Sequence, residues 1–292
     1  MTANHKIGIV ILTYRAAAYL PRLLALLAET AKGVPILIVD STSDDGTVDI
    51  AQEFGTPTLV IPKSSFNHGA TREMARKALQ TDIVVMLTQD VIPHGAEWLA
   101  NLTAPIVKGE AAVAYARQVP HDGAGWFEAF PRAFNYPDRS ELRGIDDVKK
   151  YGAYTFFCSD SCAAWSNVAL DEIGGLPYTI SLEDTIAAAL LIRRGYKIAY
   201  CADAVVKHSH SYTLRQEYQR YFITGYVRRR HRDLLCVGDG DERRGATFVG
   251  AMLKHLVKEK PWLIPYAVIS SSIKLLGYRA GWYWNLLFSE AL

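Results

Sequence analysis

Short apolar runs alternate with amphipathic segments along the first hundred residues, and this alternation limits the folds open to the chain. Residues 6–12 and 34–40 are continuous runs rich in β-branched side chains, which predicts two buried strands. Residues 19–30 between them carry leucines at helical spacing. The pattern repeats with helices predicted at 47–54 and 69–80 and strands at 58–61 and 82–88. An α/β fold with a doubly wound, mainly parallel sheet is therefore predicted.

The rest of the chain continues this pattern less regularly. Residues 120–151 are irregular and aromatic, which indicates either a helical insertion or a mobile loop. Around this segment, strands are predicted at 111–118, 154–165, 197–200 and 204–207, and a helix at 183–194. From residue 214 the chain is mostly helical, with a polar break at 238–245, so a helical C-terminal extension is expected.

Composition excludes several classes of protein. A formal charge of +2, with 50% hydrophobic and 21% charged residues, is atypical of a disordered chain. Four cysteines in 292 residues are too few for a disulfide scaffold and predict buried free thiols. The first residues lack the pattern of a signal peptide, and no apolar run is long enough for a clear membrane span. A pI near 8.2 argues against a dedicated nucleic-acid binder.

Polar residues follow the predicted strands at the edge where parallel α/β sheets bind ligands. No glycine-rich dinucleotide motif or P-loop follows the first strand, where Thr13, Tyr14 and Arg15 stand instead. Asp40 and Ser41 follow the second strand. An acid at that point either accepts hydrogen bonds from a nucleoside or forms a turn.

A possible metal site follows the fourth strand. Asp90 stands there after Gln89, and a carboxylate at that point can hold a divalent cation against phosphate oxygens. His208 and His210 follow a later strand, and alternation along an extended chain puts both rings on the same side. They are candidates for a nitrogen ligand, with a structural pair of histidines as the alternative.

Two adjacent acids, Glu183 and Asp184, stand at a predicted helix start. One interpretation is that they complement the helix dipole. The other is that one of them is a general base, which takes a proton from a hydroxyl, while hydrogen bonds hold the adjacent acid.

The order of these motifs resembles the inverting glycosyltransferase family 2, which has the GT-A fold, a Rossmann-like α/β architecture. The resemblance covers residues 6–230. It rests on TYR at 13–15, DSTSDDGT at 40–47, SFNHGATRE at 65–73, LTQD at 87–90, LEDT at 182–185 and HSH at 208–210. The NHG, QD, HSHSY and RYF motifs are similar to a bacterial rhamnosyltransferase-like branch, which builds cell-surface polysaccharides such as O-antigen.

The resemblance implies transfer of a sugar, L-rhamnose from dTDP-L-rhamnose in that branch, to a hydroxyl of a polysaccharide or lipid-linked oligosaccharide. A UDP- or GDP-sugar is the alternative donor within the family. Two alternatives of another class are a nucleotidyltransferase and a non-catalytic sugar-nucleotide binding module. The implied catalytic domain is residues 1–212, with 1–118 binding the nucleotide sugar and 119–212 carrying the acceptor site and the base.

The resemblance also implies roles for individual residues. Donor-binding candidates are Thr13, Tyr14, Arg15, Asp40, Ser41, His68, Arg72, Gln89 and Asp90. The implied cofactor is Mg²⁺ or Mn²⁺, held by Asp90 with His208 or His210, and either Asp184 or Glu183 is the base. Ser41 and Thr88 depart from the family pattern, because a second acid is frequent at each of these positions.

Positive charge is concentrated near the C-terminus. Residues 207–260 contain 12 Lys and Arg against 6 Asp and Glu, so the rest of the chain sums to −4. Trp262, Trp282 and Phe288 are among the aromatic residues that follow. We expect this region, residues 213–292, to bind an anionic membrane surface at the cytoplasmic, inner face of the cell membrane. The alternatives are a helix that packs its aromatic face on the catalytic domain and a homo-oligomer interface, and nucleic acid is not an expected partner.

Overall fold

The computed structural model describes residues 5–237 and 240–287, with the side chains of 240–242 and 285–287 left out of the description. Phe288 lies outside the described residues. The described chain contains one nine-stranded sheet in the order β3-β2-β1-β4-β8-β6-β9-β5, and β7 pairs with β9. The strands are β1 Ile7–Thr13, β2 Ile36–Asp40, β3 Thr58–Val60, β4 Ile83–Thr88, β5 Ile92–His94, β6 Val113–Val119, β7 Glu141–Arg143, β8 Cys162–Ser166 and β9 Ile198–Lys207.

Helices cover both faces of this sheet and form the C-terminal region. They are α1 Leu20–Thr30, α2 Thr47–Glu53, α3 His68–Leu79, α4 Trp98–Val107, α5 Trp126–Asn135, α6 Val148–Tyr151, α7 Asn167–Glu172, α8 Glu183–Arg193, α9 Leu214–Arg230, α10 Arg232–Leu235, α11 Gly240–Glu259 and α12 Ile264–Leu287. Short 3₁₀ helices lie at Lys63–Ser65, Ile145–Asp147, Gly152–Phe156 and Pro261–Leu263.

The first four strands are parallel, as the alternation of strands and helices predicts. Thr13 pairs with Asp40 and Leu12 with Thr88, so the carboxyl ends of β1, β2 and β4 lie at one edge of the sheet. Successive residues of β1 enter different cores, because side chains alternate along a strand. Val10 packs in the core on one face of the sheet, and Ile9 packs in the core on the other.

The second half of the sheet is mixed, which limits the parallel arrangement to β1–β4 and the pair β6–β9. β8 is antiparallel to both β4 and β6. The strand predicted at 154–165 is wrong over its first half, where Gly152–Phe156 is a 3₁₀ helix. The strands predicted at 197–200 and 204–207 are one continuous strand, β9, whose register shifts opposite Ala116 and Arg117.

Residues 120–151 are ordered as α5, β7 and short helices, which corresponds to the helical alternative. Within α5, Trp126 stacks on Phe130 at 4.9 Å between ring centroids. Phe130 in turn contacts Phe248 of α11 at 5.5 Å, so the aromatic side chains of α5 pack on α11. The polar break predicted at 238–245 is too long, because α11 begins at Gly240. Residues 238–239 of that break lie outside the described residues.

Helices α9 and α12 lie in direct backbone contact through glycines. A Cβ atom at Gly281 would lie 1.9 Å from the carbonyl oxygen of Phe222, and one at Gly225 would lie 2.0 Å from that of Tyr278. Only glycine allows two helices to approach this closely. Across the described residues, no helix combines the length and the hydropathy that a bilayer-crossing segment requires.

We expect the Gly281→Ala variant to lose about 1–3 kcal/mol of unfolding free energy, because the new methyl group forces α9 and α12 apart. The midpoint of thermal unfolding then falls by several degrees, which calorimetry measures. Gly250→Ala is the matched control, since nothing lies within 4 Å of the added Cβ. Alanine favours a helix there, so its midpoint stays the same or rises. Equal midpoints for the two variants would contradict this packing.

Candidate active site

A cleft of about 990 Å³ lies at the carboxyl edge of the parallel strands. Eight of the predicted site residues line it: His68, Arg72, Gln89, Asp90, Glu183, Asp184, His208 and His210. Its wall also includes residues of the C-terminal helices, among them Arg220 and Thr224 of α9, Arg244 of α11 and Lys274 of α12. The helical C-terminal region therefore builds part of the cleft, which the sequence does not indicate.

The predicted metal residues converge at one point of this cleft. Asp90 follows β4, and His208 and His210 follow β9. The Oδ2 atom of Asp90 lies 3.5 Å from Nε2 of His208 and 3.3 Å from Nε2 of His210. One ligand atom from each of the three residues lies within 4.8 Å of the others. Two imidazoles and a carboxylate at this spacing form a donor set that fits a divalent cation.

A glutamine that the sequence does not single out orients this cluster. Oε1 of Gln118 lies 2.9 Å from Nδ1 of His208, and Nε2 of Gln118 donates to Oγ of Ser159 at 2.9 Å. The second contact fixes the amide so that its oxygen accepts from Nδ1, which leaves the lone pair on Nε2 of His208 facing Asp90. Gln118 stands near the end of a predicted strand, and that position is the one sequence signal that could have found it.

Protonation in the cluster also suits metal binding. Burial lowers the pKa of His208, and it lowers the pKa of His210 to about 4, so both imidazoles are neutral at physiological pH. Burial would raise the pKa of Asp90, but its contacts with His208, His210 and Thr88 together outweigh this effect and hold that pKa below its ordinary value. The cluster therefore offers one negative charge and two nitrogen lone pairs.

The two candidate bases stand in different surroundings at the start of α8. Glu183 is buried and paired with Arg72, with Oε1 at 2.5 Å from Nη1. Asp184 is half-buried in the wall of the cleft. Its Oδ1 accepts from the backbone N–H of Thr185 at 2.6 Å, and its Oδ2 accepts from the backbone N–H of Asp160 at 3.1 Å. Asp184 is thus held by two backbone N–H groups and the Thr185 hydroxyl, while Glu183 is paired with a cation.

Asp160 is a third carboxylate in this cluster, and sequence reasoning missed it. It is buried just before β8, where its Oδ1 accepts from the indole N–H of Trp165 at 2.7 Å. Nε of Arg72 lies 3.5 Å from its Oδ2, which has no hydrogen-bond partner. Burial raises the pKa of Asp160 to about 8 and that of Asp184 to about 6. Glu183, Asp184 and Asp160 lie around the one guanidinium of Arg72, so Asp160 keeps its proton at neutral pH.

Arg72 and His68 belong to the same cluster. Nη1 of Arg72 lies 3.3 Å from Nδ1 of His68 as well as against Glu183. Burial lowers the pKa of His68, which favours the neutral ring. The buried guanidinium of Arg72 therefore holds Glu183 and Asp160 in this structure, although both it and His68 line the cleft.

The other predicted donor residues form a network of turns beside the cleft. Asp40 is fully buried, and its carboxylate accepts from Oγ1 of Thr13 at 2.8 Å and from the backbone N–H of Ser43 at 2.7 Å. Ser41 is buried next to it. Arg15 is exposed and pairs with Asp44 at 2.7 Å.

Gln89 joins this network to the cleft. Its Oε1 accepts from the backbone N–H of Tyr14 at 2.8 Å, and its Nε2 donates to the carbonyl oxygen of Tyr14 at 3.2 Å. Nζ of Lys63, which the sequence does not mark, donates to the Tyr14 hydroxyl at 2.7 Å and lies 4.2 Å from its ring centroid. Lys63 therefore contacts both the hydroxyl and the ring of Tyr14, while Gln89, which precedes Asp90, holds the Tyr14 backbone.

The chain is similar to known proteins over nearly its whole length. It is 37% identical over 286 residues to the O-antigen chain rhamnosyltransferase RfbN of Salmonella typhimurium, a match that spans 97% of this chain and 91% of the relative. It is 38% identical over 261 residues to the O-antigen chain rhamnosyltransferase WbaN of Salmonella anatum, across 89% of this chain and 83% of that one.

A solved structure shares the fold at low sequence identity. It is that of the mannosyltransferase PcManGT from Pyrobaculum calidifontis in complex with GDP-Man and Mn²⁺, with a TM-score of 0.65 and 14% identity. The match covers 99% of this chain and 89% of that one. The predicted GT-A fold with a helical C-terminal region is thereby confirmed. The sequence model of glycosyl transferase family 2 matches residues 8–174. Together with the relatives, this match means that the chain belongs to glycosyl transferase family 2.

Proposed function

We propose that the protein is an inverting rhamnosyltransferase that moves L-rhamnose from dTDP-L-rhamnose to a hydroxyl group during O-antigen synthesis. The observation that carries this proposal is the 37% identity to an O-antigen chain rhamnosyltransferase across 97% of the chain. The cleft supports it chemically, since candidate metal ligands and a carboxylate with a raised pKa line the same cavity.

Asp184 is the proposed general base. Its half-buried carboxylate accepts the proton of the acceptor hydroxyl, and the hydroxyl oxygen forms a bond to the anomeric carbon from the face opposite the diphosphate. The bond from the anomeric carbon to the diphosphate oxygen breaks, and its electron pair leaves with dTDP. Glu183 is the alternative base, but its ion pair with Arg72 favours a role in positioning the start of α8.

Asp90, His208 and His210 are the proposed ligands of Mg²⁺ or Mn²⁺. When bound, such a cation offsets the charge that develops on the leaving diphosphate. The two imidazoles favour Mn²⁺ over Mg²⁺, because Mg²⁺ prefers an all-oxygen shell. Gln118 orients His208, and Arg132 of α5 donates through Nε to the backbone oxygen of His208 at 2.7 Å. Both contacts keep the cluster in place.

The remaining predicted donor residues are proposed to shape the nucleoside side of the site. Tyr14, fixed by Gln89 and Lys63, offers an aromatic face next to the cleft. Asp40 and Thr13 hold the turns beneath it through their buried hydrogen bond. Residues 1–118 then carry most of the donor site and 119–212 the base. The acceptor side also includes residues from 213–292, because the C-terminal helices line the cleft.

The acceptor is proposed to be a lipid-linked or polysaccharide O-antigen intermediate, which fits an enzyme at the cytoplasmic face of a membrane. A homo-oligomer interface is the alternative role of the aromatic C-terminal surface. Nucleic acid is not proposed as a partner. GDP-sugars are included among the donors to be compared because the solved mannosyltransferase is in complex with GDP-Man.

A panel of dTDP-, UDP- and GDP-sugars with Mn²⁺ tests the donor. We expect dTDP-L-rhamnose to bind at least about tenfold more tightly than the others, measured by calorimetry. Slow release of dTDP by the purified protein, in the absence of acceptor, would exclude a non-catalytic binding module. Tight binding of GDP-mannose without binding of dTDP-L-rhamnose would overturn the donor and leave the family unchanged.

A further inference from the structure

Helix α12 has two unlike faces. One face packs on α9 through Gly277 and Gly281. On the other, Tyr266, Ile269, Leu276 and Tyr283 recur at spacings of three and seven residues, and Trp262 precedes the helix. These five residues, here named the outer face, are between 41% and 71% exposed. The chain thus leaves a row of large apolar and aromatic side chains in solvent.

The charge around the outer face is strongly positive. Apart from Lys274, which pairs with Glu217 at 3.2 Å, residues 250–287 contain four Lys and Arg and a single acid, Glu259. That acid lies 2.9 Å from His255 on its own helix. Lys254 and Lys258 are exposed at the end of α11, just before Trp262, and Arg279 is exposed on α12. Exposed lysines and an exposed arginine therefore flank the apolar outer face along the chain.

We propose that the outer face docks the enzyme onto an anionic lipid bilayer. Trp and Tyr favour the headgroup region, and lysines beside them gain from the negative surface potential of such a bilayer. A second copy of the chain fits this surface less well, because a symmetric pair would bring the same lysines together with only Glu259 on each copy to offset them. The positive charge of this surface therefore favours an anionic bilayer over a second copy of the chain.

This docking also orients the cleft, a step that rests on the proposed function. Lys274 lies on the opposite side of α12 and lines the cleft, as does Thr224 of the neighbouring α9. Because a helix with its side chains is about 10–12 Å across, the cleft wall lies about one helix diameter from the bound headgroups. An acceptor sugar close to its lipid anchor then lies next to the cleft that Asp184 lines.

Flotation of the full-length protein with vesicles tests the docking. We expect binding to phosphatidylcholine vesicles with about 30 mol % phosphatidylglycerol, and at least about tenfold weaker binding to phosphatidylcholine alone. The variant Trp262→Ser/Ile269→Gln/Leu276→Gln is expected to bind the anionic vesicles at least about tenfold more weakly than the wild type. Val168→Gln is the matched control, since Val168 is 67% exposed on α7, and its binding stays unchanged.

Two outcomes overturn the proposal. One is wild-type protein that does not float with anionic vesicles. The other is a wild-type dimer that the triple variant converts to a monomer while neither protein floats, because the outer face then belongs to a second copy. Release of dTDP from the soluble donor is measured in parallel and should be equal in all variants. Its absence from the wild type would count against the proposed function alone, since flotation needs no donor.

Discussion

The Asp184→Asn variant is expected to turn over at least about a hundredfold more slowly than the wild type, because a positioned base supplies about that much or more. Asparagine keeps the size of the side chain and can still accept from the backbone N–H of Thr185. It does not take up the proton of an acceptor hydroxyl. Donor affinity should therefore change by less than about threefold, and the loss should appear in kcat.

Glu183→Gln is the informative comparison, because it removes the neighbouring charge without touching the proposed base. Arg72 then loses the partner that lies 2.5 Å away inside the protein. Breaking a buried ion pair is strongly destabilising, by about 3–5 kcal/mol, so this variant should show a lower unfolding midpoint. Asp184→Asn should show no such loss. A nearly normal kcat in Asp184→Asn, with a kcat that collapses in a folded Glu183→Gln, would reassign the base to Glu183.

The pH profile gives a second measure of the same base. Burial raises the pKa of Asp184 to about 6, and the base must be unprotonated to accept a proton. The rate should therefore increase as the pH rises through about 6 and level off above it. Asp160, with a pKa raised by burial to about 8, is protonated near pH 6 and adds no charge to that of Glu183 beside Asp184. In Asp184→Asn the limb near pH 6 should disappear.

The parts of the fold that follow from local patterns could be predicted from the sequence. β1, β2 and β4 are continuous apolar runs, and the residues after them lie at one edge because parallel strands end together. Asp90 and the histidines after β9 meet there for that reason. The start of α8 was equally visible, since two acids precede a run of helix-forming residues.

The contacts that distinguish the site residues were not visible, because they join distant parts of the chain. The Arg72 guanidinium meets Glu183 across 111 positions, and Gln118 meets His208 across 90. Asp160 enters the cluster because β8 is inserted, antiparallel, between β4 and β6. Strand order is a tertiary property, so no periodicity in the sequence indicates it.

The role of the C-terminal helices was hidden for a similar reason. Their charge and aromatic content predict a membrane-binding surface, which stays a prediction, and the outer face of α12 is exposed. The opposite side of the same helices lines the cleft through Lys274 and Thr224. Close packing of α9 on α12 depends on glycines, which no periodicity in a helical stretch distinguishes, and it determines which side chains of these helices line the cleft.

Removing the carboxylate of Asp90 should have the other large effect. The site has a single acid, because Thr88 stands where the family frequently has another, and His208 and His210 are neutral. We expect Asp90→Ala to bind Mn²⁺ at least about a hundredfold more weakly in the presence of dTDP, since loss of a ligand exceeds the 10–100-fold cost of losing an outer partner. Electron paramagnetic resonance of free Mn²⁺ measures this affinity without any turnover.

Two further variants provide comparison values for the Mn²⁺ affinity of Asp90→Ala. Gln118→Leu leaves all three ligands in place but frees Nδ1 of His208, so Mn²⁺ affinity should fall by about 10–100-fold. Asp122→Asn removes an exposed carboxylate that pairs with Lys207 beside the cluster, and it should bind Mn²⁺ as the wild type does. Unchanged Mn²⁺ affinity in Asp90→Ala would contradict the assignment of these ligands. A large loss of Mn²⁺ affinity in Asp90→Ala, a smaller loss in Gln118→Leu and none in Asp122→Asn would support binding at the cluster itself. A general loss of negative charge predicts equal effects for Asp90 and Asp122.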